Sequence, residues 1–76
     1  MKMAYDYSKL RGRIKEKFGT QENFAAALKL STTALSQRLN NINKFTQDEI
    51  VLACQLLQIR DAEAFDYFFT RKIQKN

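Results

Sequence analysis

Large apolar residues recur along this chain at spacings of three and four, without the sustained alternation that a half-buried strand requires. Tyr7, Leu10, Ile14 and Phe18 make the first stripe and predict a helix over Ser8–Phe18. Arg11, Arg13, Lys15 and Lys17 fall on its other faces. Gly19 follows, where a left-handed C-cap is usual. Thr20 is an N-cap type and opens a second helix, with Phe24, Ala27 and Leu28 as its buried stripe and an end near Lys29. Ala25 and Ala26 are small, so another helix can approach closely. Ser31 caps a third helix whose large apolar anchors are Leu35 and Leu39. Asn40 and Asn41 end it, because asparagine tolerates the left-handed conformation.

Two more helices complete the pattern. Thr46 and Glu49 have capping-box spacing, and Ile50, Ala53, Cys54 and Leu57 form the apolar face behind them. A fifth helix is predicted from Asp61, as its cap, to Phe68 or Phe69, with Ala62, Phe65 and Phe69 at helical spacing. Residues 70–76, TRKIQKN, show no clear preference and are expected to form a flexible tail. The chain therefore reads as a single all-α domain of five helices, without repeats, linkers or low-complexity segments.

The second and third helices pose the functional question. The segment between them is only about residues 29–31, and so short a connection makes the axes diverge sharply. The third helix carries Thr32, Thr33, Ser36 and Gln37, too polar for a core and too weakly charged for an ordinary solvated face. A short helix pair of this kind over residues 20–40 describes a helix-turn-helix, in which the second helix enters the DNA major groove. Base edges are read there by the hydroxyl and amide side chains found at those four positions.

Charge supports the same direction. The net charge is +5 over 76 residues. Residues 1–44 hold nine Lys/Arg against three Asp/Glu, whereas residues 45–70 hold Arg60 against Asp48, Glu49, Asp61, Glu63 and Asp66. A basic first half suits a polyanion, and an acidic second half suits a different partner. Apolar residues at 45% exclude intrinsic disorder. No apolar run reaches the roughly 18 residues of a membrane span, and MKMAYDYSKL lacks a signal-peptide core, so a cytoplasmic protein is expected. One cysteine and no histidine rule out an internal disulfide and disfavour a zinc site, so no metal or other cofactor is expected. Cys54 reads as a small core residue, and the adjacent Asp48 and Glu49 as favourable charges at a helix N-terminus. Without a nucleophile, base and metal set, the chain is not expected to be an enzyme.

The stretches DYSKLRGRIKEKFGTQENFAAALKLSTTALSQRLNN, FTQDEI and DYFFTRKIQ resemble the phage-repressor and Cro class of helix-turn-helix domains. Within that class they are similar to short phage and prophage regulatory proteins of Gram-positive bacteria. The resemblance implies a five-helix repressor-like fold and covers most of the chain. It implies base contacts from Thr32, Thr33 and Gln37 with Ser36 alongside, and a helix-packing role for Ala25. It implies phosphate contacts from Gln21 and Asn40, to which Arg38 and Lys44 are added on positional grounds. The chain departs from the pattern at Lys29, where glycine is common in the turn.

Two functions follow as expectations. The first is a Cro-like transcriptional regulator of a phage or prophage switch, bound to a double-stranded DNA operator, with a homodimer supplying two half-sites. The alternative is a modulator or antirepressor that binds the phage repressor protein with the same fold. Its motive is the acidic second half together with Phe65, Tyr67, Phe68 and Phe69. Four aromatic residues in five cannot all face the core of so small a domain, so this cluster is assigned to a partner interface.

Overall fold

A computed structural model describes residues 4–72. Five helices follow one another: α1 (Ser8–Phe18), α2 (Gln21–Ala27), α3 (Thr32–Leu39), α4 (Gln47–Leu57) and α5 (Asp61–Phe68). The helical periodicity therefore translates into an all-α, five-helix domain with a helix-turn-helix pair, α2–α3, at its centre. The core gathers one stripe from each helix: Leu10 and Ile14, Phe24 and Leu28, Leu35 and Leu39, Ala53 and Leu57, Tyr67 and Phe68. Phe24, Leu10, Ile14, Leu35 and Leu57 are its most enclosed large side chains. Ala25, not Ala27, is the buried alanine of α2, which lets α3 approach closely.

The helix starts follow from capping chemistry. Thr20, Ser31 and Thr46 each accept the N–H three residues on, at 3.1, 3.0 and 3.1 Å. Glu49 completes a capping box by accepting the Thr46 N–H at 3.0 Å. At α1 the N-cap, Tyr7, has no side chain for this task, and Asp6 takes it over by accepting from the Ser8 N–H at 2.9 Å and the Ser8 hydroxyl at 2.6 Å. At α5 the structure differs from the reading above: Arg60 occupies the cap position and Asp61 is the first helical residue. The buried stripe of α5 is also displaced, running through Ala64, Tyr67 and Phe68 instead of Ala62, Phe65 and Phe69.

Three helices end the same way. Lys29, Asn41 and Gln58 take positive φ values of 64°, 63° and 56°. The next residue's N–H then reaches back five positions: Leu30 to Ala25, Ile42 to Gln37, and Ile59 to Cys54. This is the Schellman arrangement, in which the residue after the left-handed position is commonly apolar and packs back on the helix. Leu30 packs against the core and Ile59 is buried, but Ile42 remains 68% exposed. The α2 helix stops at Ala27, two residues before the expected Lys29, because Lys29 is the left-handed residue. That conformation is unfavourable for a side chain carrying a Cβ. Lys29→Gly should therefore raise stability by about 0.5–1 kcal/mol, after allowing for glycine's extra freedom in the unfolded chain. Thermal unfolding checks this: an upward shift of a few degrees is expected, and a lower midpoint would contradict the strain account.

The two ends of the described chain are joined. Tyr5 and Arg71 form an antiparallel bridge, flanked by the Asp6 N–H to the Thr70 carbonyl at 2.8 Å and the Lys72 N–H to the Ala4 carbonyl at 2.9 Å. In that register the Tyr5 backbone groups face away from the partner strand. Asn41 satisfies both, accepting the Tyr5 N–H at 2.8 Å and donating to the Tyr5 carbonyl at 2.9 Å. Thr70 and Arg71 are thus held in place, contrary to the expectation of a tail starting at residue 70; residues 73–76 of that segment lie outside the described residues. Among the described residues, no helix is long and apolar enough to cross a membrane.

Candidate interaction surfaces

The outward side of α3 is one candidate surface. Thr32 and Thr33 are exposed in its first turn, and Ser36 and Gln37 are half-buried one turn on. Ser31 caps the helix from outside, so the first-turn hydroxyls of Thr32 and Thr33 are not consumed as caps. Gln37 accepts a hydrogen bond at Oε1 from the Asn43 side chain at 3.0 Å. Gln21, at the start of α2, lines a shallow concavity of about 220 Å³ with Arg11, Lys15 and Thr20. Lys44 is exposed just beyond α3.

Two of the expected phosphate contacts are engaged within the protein. Arg38 is paired with Glu49 through two bonds, Nε to Oε1 at 2.7 Å and NH2 to Oε2 at 3.1 Å. Its NH1 donates to the Ala34 carbonyl at 3.1 Å. The side chains of Arg38 and Glu49 are only 16% and 15% exposed. Arg38 is therefore corrected from a phosphate ligand to a clamp between α3 and α4: a guanidinium answered by a carboxylate in this geometry has no charge left over for DNA. Burial pushes the Glu49 carboxyl up, but the bonds from Arg38 and the Thr46 N–H outweigh it and hold the group below the usual carboxylate range. Asn40 is likewise occupied, donating to the Ser36 carbonyl at 2.8 Å and accepting from Arg11 at 3.2 Å.

The basic residues of α1 are also more structural than their sequence suggests. Arg11 donates to the Leu39 carbonyl at 3.2 Å, at the C-terminal end of α3. Arg13 donates to the Leu57 and Gln58 carbonyls at 2.9 and 3.0 Å, at the end of α4. Lys17 reaches the Gln58 side chain at 3.0 Å. Cations belong at helix C-termini, where unpaired carbonyls concentrate negative potential. These partners are 28 to 45 positions apart in sequence, so local pattern could not reveal them.

The second surface lies on α4 and α5. Of the four aromatic residues assigned to an interface, Tyr67 and Phe68 are buried at 8% and 2% exposure and belong to the core. That corrects half of the assignment, because helical geometry turns positions 67 and 68 inward with Ala64. Phe65 and Phe69 face out, at 65% and 38% exposure. Their rings stack at 5.4 Å, and Phe69 meets Tyr5 edge-on at 6.2 Å. Val51, which the sequence reading passed over, is 58% exposed and lines an apolar groove of about 240 Å³ with Ile50, Cys54, Ile59 and Ala64. Asp61 stands at its rim, and Asp48 and Asp66 are exposed on the same two helices. Cys54 is in the groove wall; burial, aided by the nearby Asp61 charge, pushes its thiol up and keeps it protonated.

A five-helix all-α domain built round a helix-turn-helix, with one polar face and one aromatic, acidic face, is the class that these features define. The chain belongs to the family described as "Protein of unknown function (DUF739)", whose model matches residues 3–71. It is similar to a solved structure described as the solution structure of the modulator of repression (MOR) of the temperate bacteriophage TP901-1 from Lactococcus lactis. The two share 43% identity with a TM-score of 0.77, over 92% of this chain and 95% of that one. A comparison with curated proteins found no match. The neighbour is a phage regulatory protein, in line with the coarser part of the sequence resemblance; neither comparison carries the Cro-like assignment.

Proposed function

We propose that this protein is a modulator of a phage genetic switch that works by binding the phage repressor protein. The observation that carries the reading is the 43% identity, over nearly its whole length, with a phage modulator of repression. The α4–α5 face supplies a physical basis. Phe65, Phe69 and Val51 are exposed apolar side chains among exposed carboxylates, and such a face suits the basic DNA-binding surface of another regulator. The role is one of binding, with no catalytic step. Mixing this protein with the repressor of the same phage and separating by size tests the reading. Co-elution is expected; separate elution at micromolar concentrations would reject it.

A second reading is favoured by α3. Its outward side presents Thr32, Thr33 and Gln37, residue types that read bases, on the more basic half of the chain. Under this reading the protein also touches operator DNA, alone or as a dimer. The loss of Arg38 and Asn40 to internal bonds leaves Gln21, Lys44 and neighbouring lysines as its phosphate contacts. Gln37→Ala should reduce binding to the phage's regulatory DNA in a gel shift while leaving affinity for scrambled duplex unchanged. Equal loss on both would remove the base-reading role.

A further inference from the structure

The turn after α3 holds Gln37 in one orientation. Asn43 donates from Nδ2 to Gln37 Oε1 at 3.0 Å, and the backbone N–H groups of Ile42 and Asn43 both donate to the Gln37 carbonyl, at 2.8 and 3.2 Å. The donor is therefore fixed relative to its acceptor by the backbone as well as by the side chain. An amide oxygen has two lone pairs, so Gln37 keeps one free together with its two N–H donors. A glutamine presenting one acceptor and one donor side by side complements adenine, whose major-groove edge offers the N6 donor and the N7 acceptor. Ile42, one residue before Asn43, is the exposed exception among the three apolar residues that follow left-handed helix ends. An aliphatic side chain beside such an amide matches the methyl group of thymine. Lys44 follows at once, on the basic half of the chain, where a phosphate would be met.

We propose that Gln37, with Ile42 beside it, reads an A·T step in the major groove, and that Asn43 is the positioning residue that sets the Gln37 amide for it. The assignment rests on the DNA reading above and deepens it by naming the base pair. Asn43 itself touches no base in this arrangement. Asn43 is exposed, so its replacement should leave the fold intact, and Asn43→Asp keeps the shape while removing the donor.

The test is selection of duplexes from a randomised pool by the full chain, with the selected DNA sequenced. The unaltered protein should enrich A·T at one position. Asn43→Asp should lower the preference at that position on the order of tenfold, with affinity for scrambled duplex and thermal midpoint unchanged. In the DNA-free protein, nitrogen-15 relaxation should show the Gln37 side-chain amide ordered, and more mobile in Asn43→Asp. If the unaltered protein enriches nothing, the DNA reading falls and this assignment with it. If enrichment survives Asn43→Asp, or the Gln37 amide is equally mobile in both, the DNA reading stands and the assignment is overturned. If the substitution weakens repressor binding instead, α3 serves the protein partner and the assignment is equally overturned.

Discussion

Arg38→Ala should lower stability by about 2 kcal/mol and the thermal midpoint by about 10 °C. The guanidinium answers a Glu49 carboxylate that is 15% exposed, and its removal leaves that charge largely desolvated without its partner. Complete burial would raise the cost to about 3–5 kcal/mol; the remaining solvent contact lowers it. Glu49→Gln should cost less, because a neutral amide can still accept from Arg38 and Thr46. The pH dependence follows in sign. The folded Glu49 pKa lies below the unfolded value, so its contribution is present above about pH 4.5 and is lost as pH falls through the lower folded value. The parent protein should weaken across that acid range, and Arg38→Ala and Glu49→Gln should weaken less steeply. A midpoint within about 3 °C of the parent at pH 7 would show that α3 and α4 are held by apolar packing alone.

Phe65→Asp should abolish repressor binding, a loss of at least a hundredfold, without unfolding the domain. The side chain is 65% exposed, so its replacement leaves no cavity in the core. Exposed aromatic anchors carry a large share of interface energy, at 2 kcal/mol or more each, and a carboxylate there would be buried unpaired on docking. Tyr67 and Phe68 would report differently. Substituting them removes core contacts, so loss of binding would accompany loss of fold and carry no information about the interface. Circular dichroism separates the cases: Phe65→Asp should keep parental helicity and midpoint. Unchanged repressor affinity in a folded Phe65→Asp protein would place the partner elsewhere.

What the sequence discloses and what it hides divide along sequence distance. The capping residues Thr20, Ser31 and Thr46, the 3–4 spacing of Leu10 and Ile14, and the box closed by Glu49 are local, and each was readable. Even the awkward Lys29 announced a left-handed turn. Hidden were groups whose partners lie on other helices. Arg38 looks like a phosphate ligand until Glu49, eleven positions on, is folded beside it. Arg11 and Arg13 look like solvated charges until the ends of α3 and α4 arrive under them. Asn41 gives no hint that its amide completes the backbone of Tyr5, 36 positions away. Along α5, four clustered aromatics are consistent with two stripes, and only packing against the other helices chooses the inward one.

The most direct test of the central claim is a calorimetric titration of the phage repressor's DNA-binding domain with this protein. Saturable binding at micromolar affinity or tighter is predicted, about −8 kcal/mol or more favourable, and it should vanish with Phe65→Asp. No heat with the repressor, alongside saturable binding to operator DNA under the same conditions, would contradict the account and return the protein to the class of direct DNA readers.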